Sequence, residues 1–204
     1  MNTPLPRRRL PIGLQTFAKL RTEGCYYVDK TGLLIDLIES GPCFFLSRPR
    51  RFGKSLLVDT MKELFEGNQA LFTGLAAETR WDWSQRHPVI SFSFSDGVLQ
   101  SRAELDTRIR DILRFNREQL SLLPSPGVDP ADVPGNLLDL IRQTHASTGR
   151  QAVVLIDAYD KPILDNIDDP ERARAMREGL KNLYSVLKGA DAHLRFVFLT
   201  GVSK

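Results

Sequence analysis

Cys43-Phe44-Phe45-Leu46-Ser47-Arg48-Pro49-Arg50-Arg51-Phe52-Gly53-Lys54-Ser55 is the stretch whose reading decides the fold. Its first part is a short continuous apolar run between Gly41-Pro42 and Pro49, which reads as a buried parallel strand. Its last part runs into a helix. Beyond Lys54, residues Leu57, Met61, Leu64 and Phe65 share one face, and Gly67 stands where the helix stops. Strand, basic loop and helix form the setting of the phosphate-binding pattern G-x-x-x-x-G-K-[ST]. Gly53, Lys54 and Ser55 match its last three positions, and Arg48 stands in the place of its first Gly.

The matching half carries the chemistry. Gly53 can adopt backbone angles that curl amides around an anion. A helix N-terminus offers unpaired N–H groups and the positive end of a dipole. Lys54 would reach the β and γ phosphates, and the Ser55 hydroxyl would take a place on Mg²⁺, which wants hard oxygen ligands. Arg48, Arg50 and Arg51 add positive charge. Alone, Gly-Lys-Ser also fits a basic loop capping a helix. It fits a small nucleic-acid patch less well, because no aromatic residues are interleaved.

Outward from this stretch the pattern alternates. Lys30 to Glu39 reads as a helix, with Leu33, Leu34, Leu37 and Ile38 on its apolar face. Residues 68–87 read as irregular. Val89 to Phe94 alternates as a strand. Arg102 to Leu122 reads as a helix, and residues 123–136, rich in Pro and Gly, as a surface connector. A helix over Leu137 to His145, the apolar strand Ala152 to Ile156, a helix over Glu171 to Leu187 and the strand Arg195 to Leu199 complete the series. Such alternation requires crossover connections, hence a mostly parallel sheet covered on both faces: an α/β/α three-layer sandwich. Ligands of such sheets bind beyond the carboxyl ends of the strands. Ending at the fourth strand leaves an unpaired edge open to self-association.

Asp157 ends the third strand, where a carboxylate on a rigid element would face Mg²⁺ through water. Thr200, at the tip of the fourth strand, is the candidate γ-phosphate sensor. The residue after Asp157 is Ala158, which cannot accept a proton from an attacking water. Asp160 is the nearest acid that might replace the missing base.

These phrases resemble the AAA-ATPase-like family of bacteria and archaea. The resemblance is carried by Leu10-Pro11-Ile12-Gly13, Tyr27-Val28-Asp29-Lys30-Thr31, Arg48 to Ser55, Pro88-Val89-Ile90, Ile156-Asp157-Ala158-Tyr159-Asp160-Lys161-Pro162 and Leu199-Thr200-Gly201-Val202-Ser203-Lys204. It covers the chain from about residue 10 to 204. The family's own loop has the Arg-Pro-Arg-Arg-Phe-Gly-Lys-Ser form. The resemblance implies a P-loop domain of the AAA-like class, with an extra strand between its two nucleotide motifs. It implies ATP and Mg²⁺ as ligands, with Pro49, Arg50, Arg51, Phe52, Gly53, Lys54, Ser55 and Leu56 around the nucleotide. Ser55 and Asp157 would serve the metal, and Lys54 and Asp160 catalysis. The family has Glu where this chain has Ala158, which puts hydrolysis in doubt. Members often continue into a nuclease-like domain of the PD-(D/E)XK type, so the chain reads as a flexible basic arm over 1–11 and an ATPase domain over 12–204 that stops short of the full module. Any arginine finger would lie downstream or on a neighbouring subunit.

Other features have plainer readings beside the functional ones. Asp29 or Thr31 fits a helix N-cap, although the resemblance places their segment near a base pocket. Trp81 and Trp83 fit packing under a loop better than stacking on a base. His87, His145 and His193 show no ligand spacing. Asp96, after the second strand, is where a small-molecule kinase would carry an acid, but no Arg-rich lid follows. A non-hydrolysing nucleotide-binding or interaction module is the other alternative.

Bulk properties agree with a soluble domain. The chain has 204 residues, 42% of them hydrophobic and 26% charged. With 28 basic against 25 acidic side chains, the net charge of +3 does not indicate nucleic-acid binding. Cys25 and Cys43 read as reduced thiols. No run approaches the roughly 18 apolar residues of a membrane span, and no signal-type stretch follows Arg7-Arg8-Arg9, so a cytoplasmic location is expected.

Overall fold

The computed structural model describes residues 8–203. Most of the expected basic arm, residues 1–7, and the terminal Lys204 lie outside them. Arg9 is tied in: its carbonyl accepts from the Tyr26 N–H at 2.9 Å.

Four parallel strands form one sheet: β1 (Cys43–Ser47), β2 (Val89–Ser93), β3 (Ala152–Asp157) and β4 (Leu194–Gly201). Their spatial order is β1-β4-β3-β2. The strand after the phosphate loop and the strand ending in Asp157 are therefore separated by β4. Every residue of β3 is buried, as its unbroken apolar run requires of a central strand.

Side chains alternate across the sheet and build two cores. Val89, Val153, Leu155, Phe196 and Phe198 pack with α1 (Phe17–Thr22), α2 (Thr31–Ser40) and α3 (Lys54–Glu66). Ile90, Phe92, Val154, Ile156 and Val197 pack with α5 (Arg102–Gln119), α6 (Val133–Thr148) and α8 (Pro170–Gly189). The three-layer α/β/α reading holds.

Several local expectations are corrected. β1 is an edge strand: Cys43 is exposed and Phe45 is 44% exposed, because an apolar run does not state which place in the sheet it takes. β4 is internal, so the edges are β1 and β2. The buried face of α2 is Thr31, Leu34, Ile35 and Ile38, while Leu33 points outward. Residues 68–87 contain a 3-10 turn, Gln69–Phe72, and a short helix α4 (Ala77–Arg80). α6 begins four residues before the expected Leu137, since Pro134 sits in its first turn and Asp132 Oδ1 accepts from the Gly135 N–H at 3.0 Å. Pro134 is thus a helix start and not part of a connector. Pro162 likewise opens a one-turn helix, α7 (Lys161–Leu164), in place of the expected loop.

Candidate functional site

The phosphate loop hangs between two anchored ends. At its start the Arg48 N–H donates to Gly201 O at 3.1 Å and Ser47 Oγ to Val202 O at 3.0 Å, fastening the exit of β1 to the exit of β4. At its end the chain enters α3 through Gly53, at φ 75°, two residues after Arg51 at φ 67°. Gly53 has open space where a Cβ would be, so glycine is required there by backbone angle and not by crowding. No side chain caps α3, and its first turn carries no acid. Its opening amides therefore face the hollow of a loop whose side chains are cationic. Lys54 Nζ donates to the carbonyls of Arg48 and Pro49, both at 2.9 Å, so the ammonium closes the loop on itself. Pro49, Arg50, Arg51, Phe52, Gly53, Lys54, Ser55 and Leu56 form one continuous turn around the N-terminus of α3.

Asp157 is the hub beside it. The residue is 6% exposed. Its Oδ2 accepts from Ser55 Oγ at 2.6 Å and Ser95 Oγ at 3.1 Å, and its Oδ1 from Thr200 Oγ1 at 2.6 Å. The fold brings Ser55, Asp157 and Thr200 together because α3, β3 and β4 all start or end at the same rim of the sheet. Ala158 follows at φ 55°, its N–H donating to Thr200 Oγ1 at 3.3 Å. A hydroxyl, a carboxylate and nearby cations suit a hard divalent ion carried by phosphate oxygens and water. Among the described residues, no three His, Cys, Asp or Glu side chains form a cluster that would hold a metal unaided.

Asp160 is differently occupied. It is 1% exposed, and its Oδ2 accepts from the Val202 N–H at 2.9 Å, the Ser203 N–H at 2.6 Å and Ser203 Oγ at 2.6 Å. The carboxylate thereby binds the segment after β3 to the segment after β4. Lys161 pairs with Asp165 at 2.5 Å and also donates to the Gly97 carbonyl.

Two cavities flank the loop. One of about 470 Å³ is mainly apolar, walled by Leu10, Tyr26, Val28, Leu46, Phe52 and Leu57. The other, about 270 Å³, lies between Arg50, Arg51, Lys54, Ser95, Asp157 and Lys161. An apolar slot and a cationic slot on opposite sides of one loop suit a ligand with a flat ring at one end and anionic groups at the other.

The remaining candidates lie elsewhere or serve the scaffold. Asp29 Oδ1 accepts from the Thr31 N–H at 2.8 Å and its Oδ2 from the Ala76 N–H at 2.7 Å, which fastens the start of α2 to that of α4. Burial works to raise the Asp29 carboxyl, but these bonds outweigh it and leave it lowered. Trp81 packs on Phe65 and Trp83 on Phe72. His145 and His193 meet with their Nδ1 atoms 3.0 Å apart, while His87 bonds Gln151 O at 3.0 Å. Asp96 is exposed and 3.4 Å from Arg108. Sequence reasoning missed Ser95 and the Leu10–Tyr26 wall. Parallel pairing of β2 with β3, Ser93 beside Asp157, is what carries Ser95 to the site.

No helix among the described residues is long and apolar enough to cross a membrane. A protein of Azotobacter chroococcum mcd 1, described as "Uncharacterized protein in vnfD 5'region", is 53% identical over 201 residues. The match takes in 98% of this chain but only 38% of that relative's length. No solved structure matches. A family model described as "Predicted AAA-ATPase" matches residues 11–204. With that match spanning nearly its whole length, the chain belongs to the AAA-ATPase-like family.

Proposed function

We propose that this domain binds ATP together with Mg²⁺ at the rim formed by the phosphate loop, Asp157 and Thr200, and that it hydrolyses ATP slowly or not at all. The observation that carries the reading is the 2.6 Å bond between Ser55 Oγ and Asp157 Oδ2 at the uncapped start of α3. The triphosphate would lie in the turn from Pro49 to Leu56, against the first amides of α3. Lys54 would exchange its two loop carbonyls for phosphate oxygens, a charge-assisted bond stronger than the ones it leaves. Arg50 and Arg51 neutralise charge from the loop. Ser55 and Asp157 would hold Mg²⁺, which supplies charge neutralisation of the phosphates. Thr200, between Asp157 and the Ala158 N–H, would register the state of the terminal phosphate. The base has a place in the apolar cavity beside Phe52, Tyr26 and Val28.

Hydrolysis needs a group to orient and deprotonate water, worth about 10²–10⁴ in rate. Ala158 has none. The three donors on Asp160 Oδ2 favour a structural role for that carboxylate over proton acceptance. The domain then works as a nucleotide-dependent binding module. In longer relatives a downstream nuclease-like domain, or a second copy of the chain, is the natural recipient of its state.

The test is a titration of the chain and of Lys54→Ala with a fluorescent ATP analogue and Mg²⁺, with phosphate release followed in parallel and Ala158→Glu included. Saturable binding that Lys54→Ala loses, and release that appears only in Ala158→Glu, is the expected result. A folded chain that binds no nucleotide would overturn the reading. Multiple turnover by the unaltered chain would remove its second half.

A further inference from the structure

Three hydroxyls from different elements converge on Asp157, and the fold gives them unequal places. Thr200 has Oδ1 to itself, whereas Ser55 and Ser95 share Oδ2. An ionised carboxylate offers about four lone-pair positions, so the sharing is permitted. It has a consequence that rests on the nucleotide reading above. A hydroxyl that ligates a cation turns its lone pair to the ion and its proton away, so Ser55 must let go of Oδ2 when a divalent ion binds. Asp157 is then left with one hydroxyl on each oxygen, Thr200 on Oδ1 and Ser95 on Oδ2.

We propose that Ser95 is a positioning residue of the cation site: with Thr200 it grips Asp157 from both sides, so that the carboxylate keeps its direction when Ser55 turns to the ion. Ser95 is itself braced for this task. The Ser95 N–H donates to Ser93 Oγ at 3.3 Å, and the Phe94 N–H to Asp157 O at 3.2 Å. The loop beyond is stapled to the segment after β3, by Lys161 on the Gly97 carbonyl and by Asn166 Nδ2 on Leu99 O at 2.7 Å. Ser95 therefore moves with Asp157. Its neighbour Asp96 has a side chain 84% exposed and points its charge at Arg108, so it offers no substitute. Orienting groups of this kind set metal affinity by about 10–100-fold.

Three chains decide it: unaltered, Ser95→Ala and Ser95→Thr. Mg²⁺ is titrated at fixed fluorescent ATP analogue, and analogue affinity is measured again in EDTA. Mn²⁺ binding without nucleotide is followed by electron paramagnetic resonance, and the melting temperature checks folding. Ser95→Ala is expected to need about 10-fold more Mg²⁺, with its affinity in EDTA unchanged, and Ser95→Thr to restore the midpoint. An unchanged Mg²⁺ midpoint in Ser95→Ala overturns the proposal, as does an equal fall of affinity in EDTA, which would mark a merely structural role. If the unaltered chain binds no nucleotide, the nucleotide reading fails and the Mn²⁺ titration decides about Ser95. Weaker Mn²⁺ binding by Ser95→Ala then supports it, while equal or absent binding rejects it.

Discussion

Asn116 on α5 meets Ser91 on β2 with both ends of its amide: the Ser91 N–H donates to Asn116 Oδ1 at 2.8 Å, and Asn116 Nδ2 donates to Ser91 O at 2.9 Å. The side chain imitates the backbone of a neighbouring strand and closes the free edge of the sheet at its middle. Asn116 is 4% exposed, so these bonds are made out of water. Replacing Asn116 by Ala leaves a buried donor and a buried acceptor unpaired, at about 1–3 kcal/mol each when unrelieved. Asn116→Ala should lower the urea midpoint by about 2 kcal/mol in stability and raise concentration-dependent association in ultracentrifugation, because it uncovers a strand edge.

Ala158 stands at φ 55°, where an L side chain costs about 1–2 kcal/mol. Ala158→Gly relieves that strain and gives back part of the gain to the unfolded chain. A net stabilisation of about 0.5–1 kcal/mol in chemical denaturation is expected. Ala158→Glu keeps the Cβ already present and extends toward the cavity that Ala158 helps to line with Arg50, Arg51 and Lys54. Its melting temperature should stay near that of the unaltered chain, so that any hydrolysis it acquires reflects chemistry and not refolding.

Arg117 and Asp139 form a buried pair at 2.7 Å, with side chains 6% and 13% exposed. Arg117 also donates to Gln143 Oε1 at 2.8 Å and Asn136 O at 3.2 Å, joining α5 to α6. Truncating one member of such a pair costs about 3–5 kcal/mol, and Arg117→Ala should approach that in a denaturant melt.

The same pair shapes the acid limb of stability. Burial works to raise the Asp139 carboxyl, but hydrogen bonds from Ser125 and the Arg117 guanidinium outweigh it and hold it below its ordinary value. A carboxyl depressed in the folded state contributes stability that is complete above its unfolded pKa of about 3.9 and lost as pH falls through the lower folded value. Asp139→Asn should therefore flatten the loss of stability below about pH 4, measured as melting temperature against pH.

Lys54 holds two carbonyls of its own loop, so removing it disturbs no distant element. Lys54→Ala should melt within a degree or two of the unaltered chain in buffer alone. With Mg-ATP at 100 times its dissociation constant, the unaltered chain should gain about 2.7 kcal/mol, and Lys54→Ala almost none. A calorimetric scan with and without nucleotide makes the comparison.

Much of the site could be read from residue order. Gly53-Lys54-Ser55 after a strand and Asp157 at the end of another are local patterns, and the structure sets Ser55 beside Asp157. Thr200 was legible as the tip of a strand. Ser95 was not, because nothing in Ser93-Phe94-Ser95 distinguishes a serine that meets Asp157 from one that faces water. The difference lies in which strand pairs with β3. Asp160 illustrates the converse: an acid near the site was legible, but its three donors come from Val202 and Ser203, which reach it only through the pairing of β3 with β4.

By itself the sequence determined the elements and their kind, since apolar periodicity, caps and breakers act over a few residues. That covers the parallel α/β class, the turn into α3 and the missing acid at Ala158. Only the tertiary structure decided the order β1-β4-β3-β2, and with it everything that depends on neighbours across the sheet. It exposed the apolar β1 at an edge and sealed the other edge with Asn116. It put Thr200 between the loop and Asp157, and turned Leu33 outward while Ile35 went in. Strand order follows from how long crossovers pack over two cores, a balance summed across the whole chain that no short stretch of residues carries.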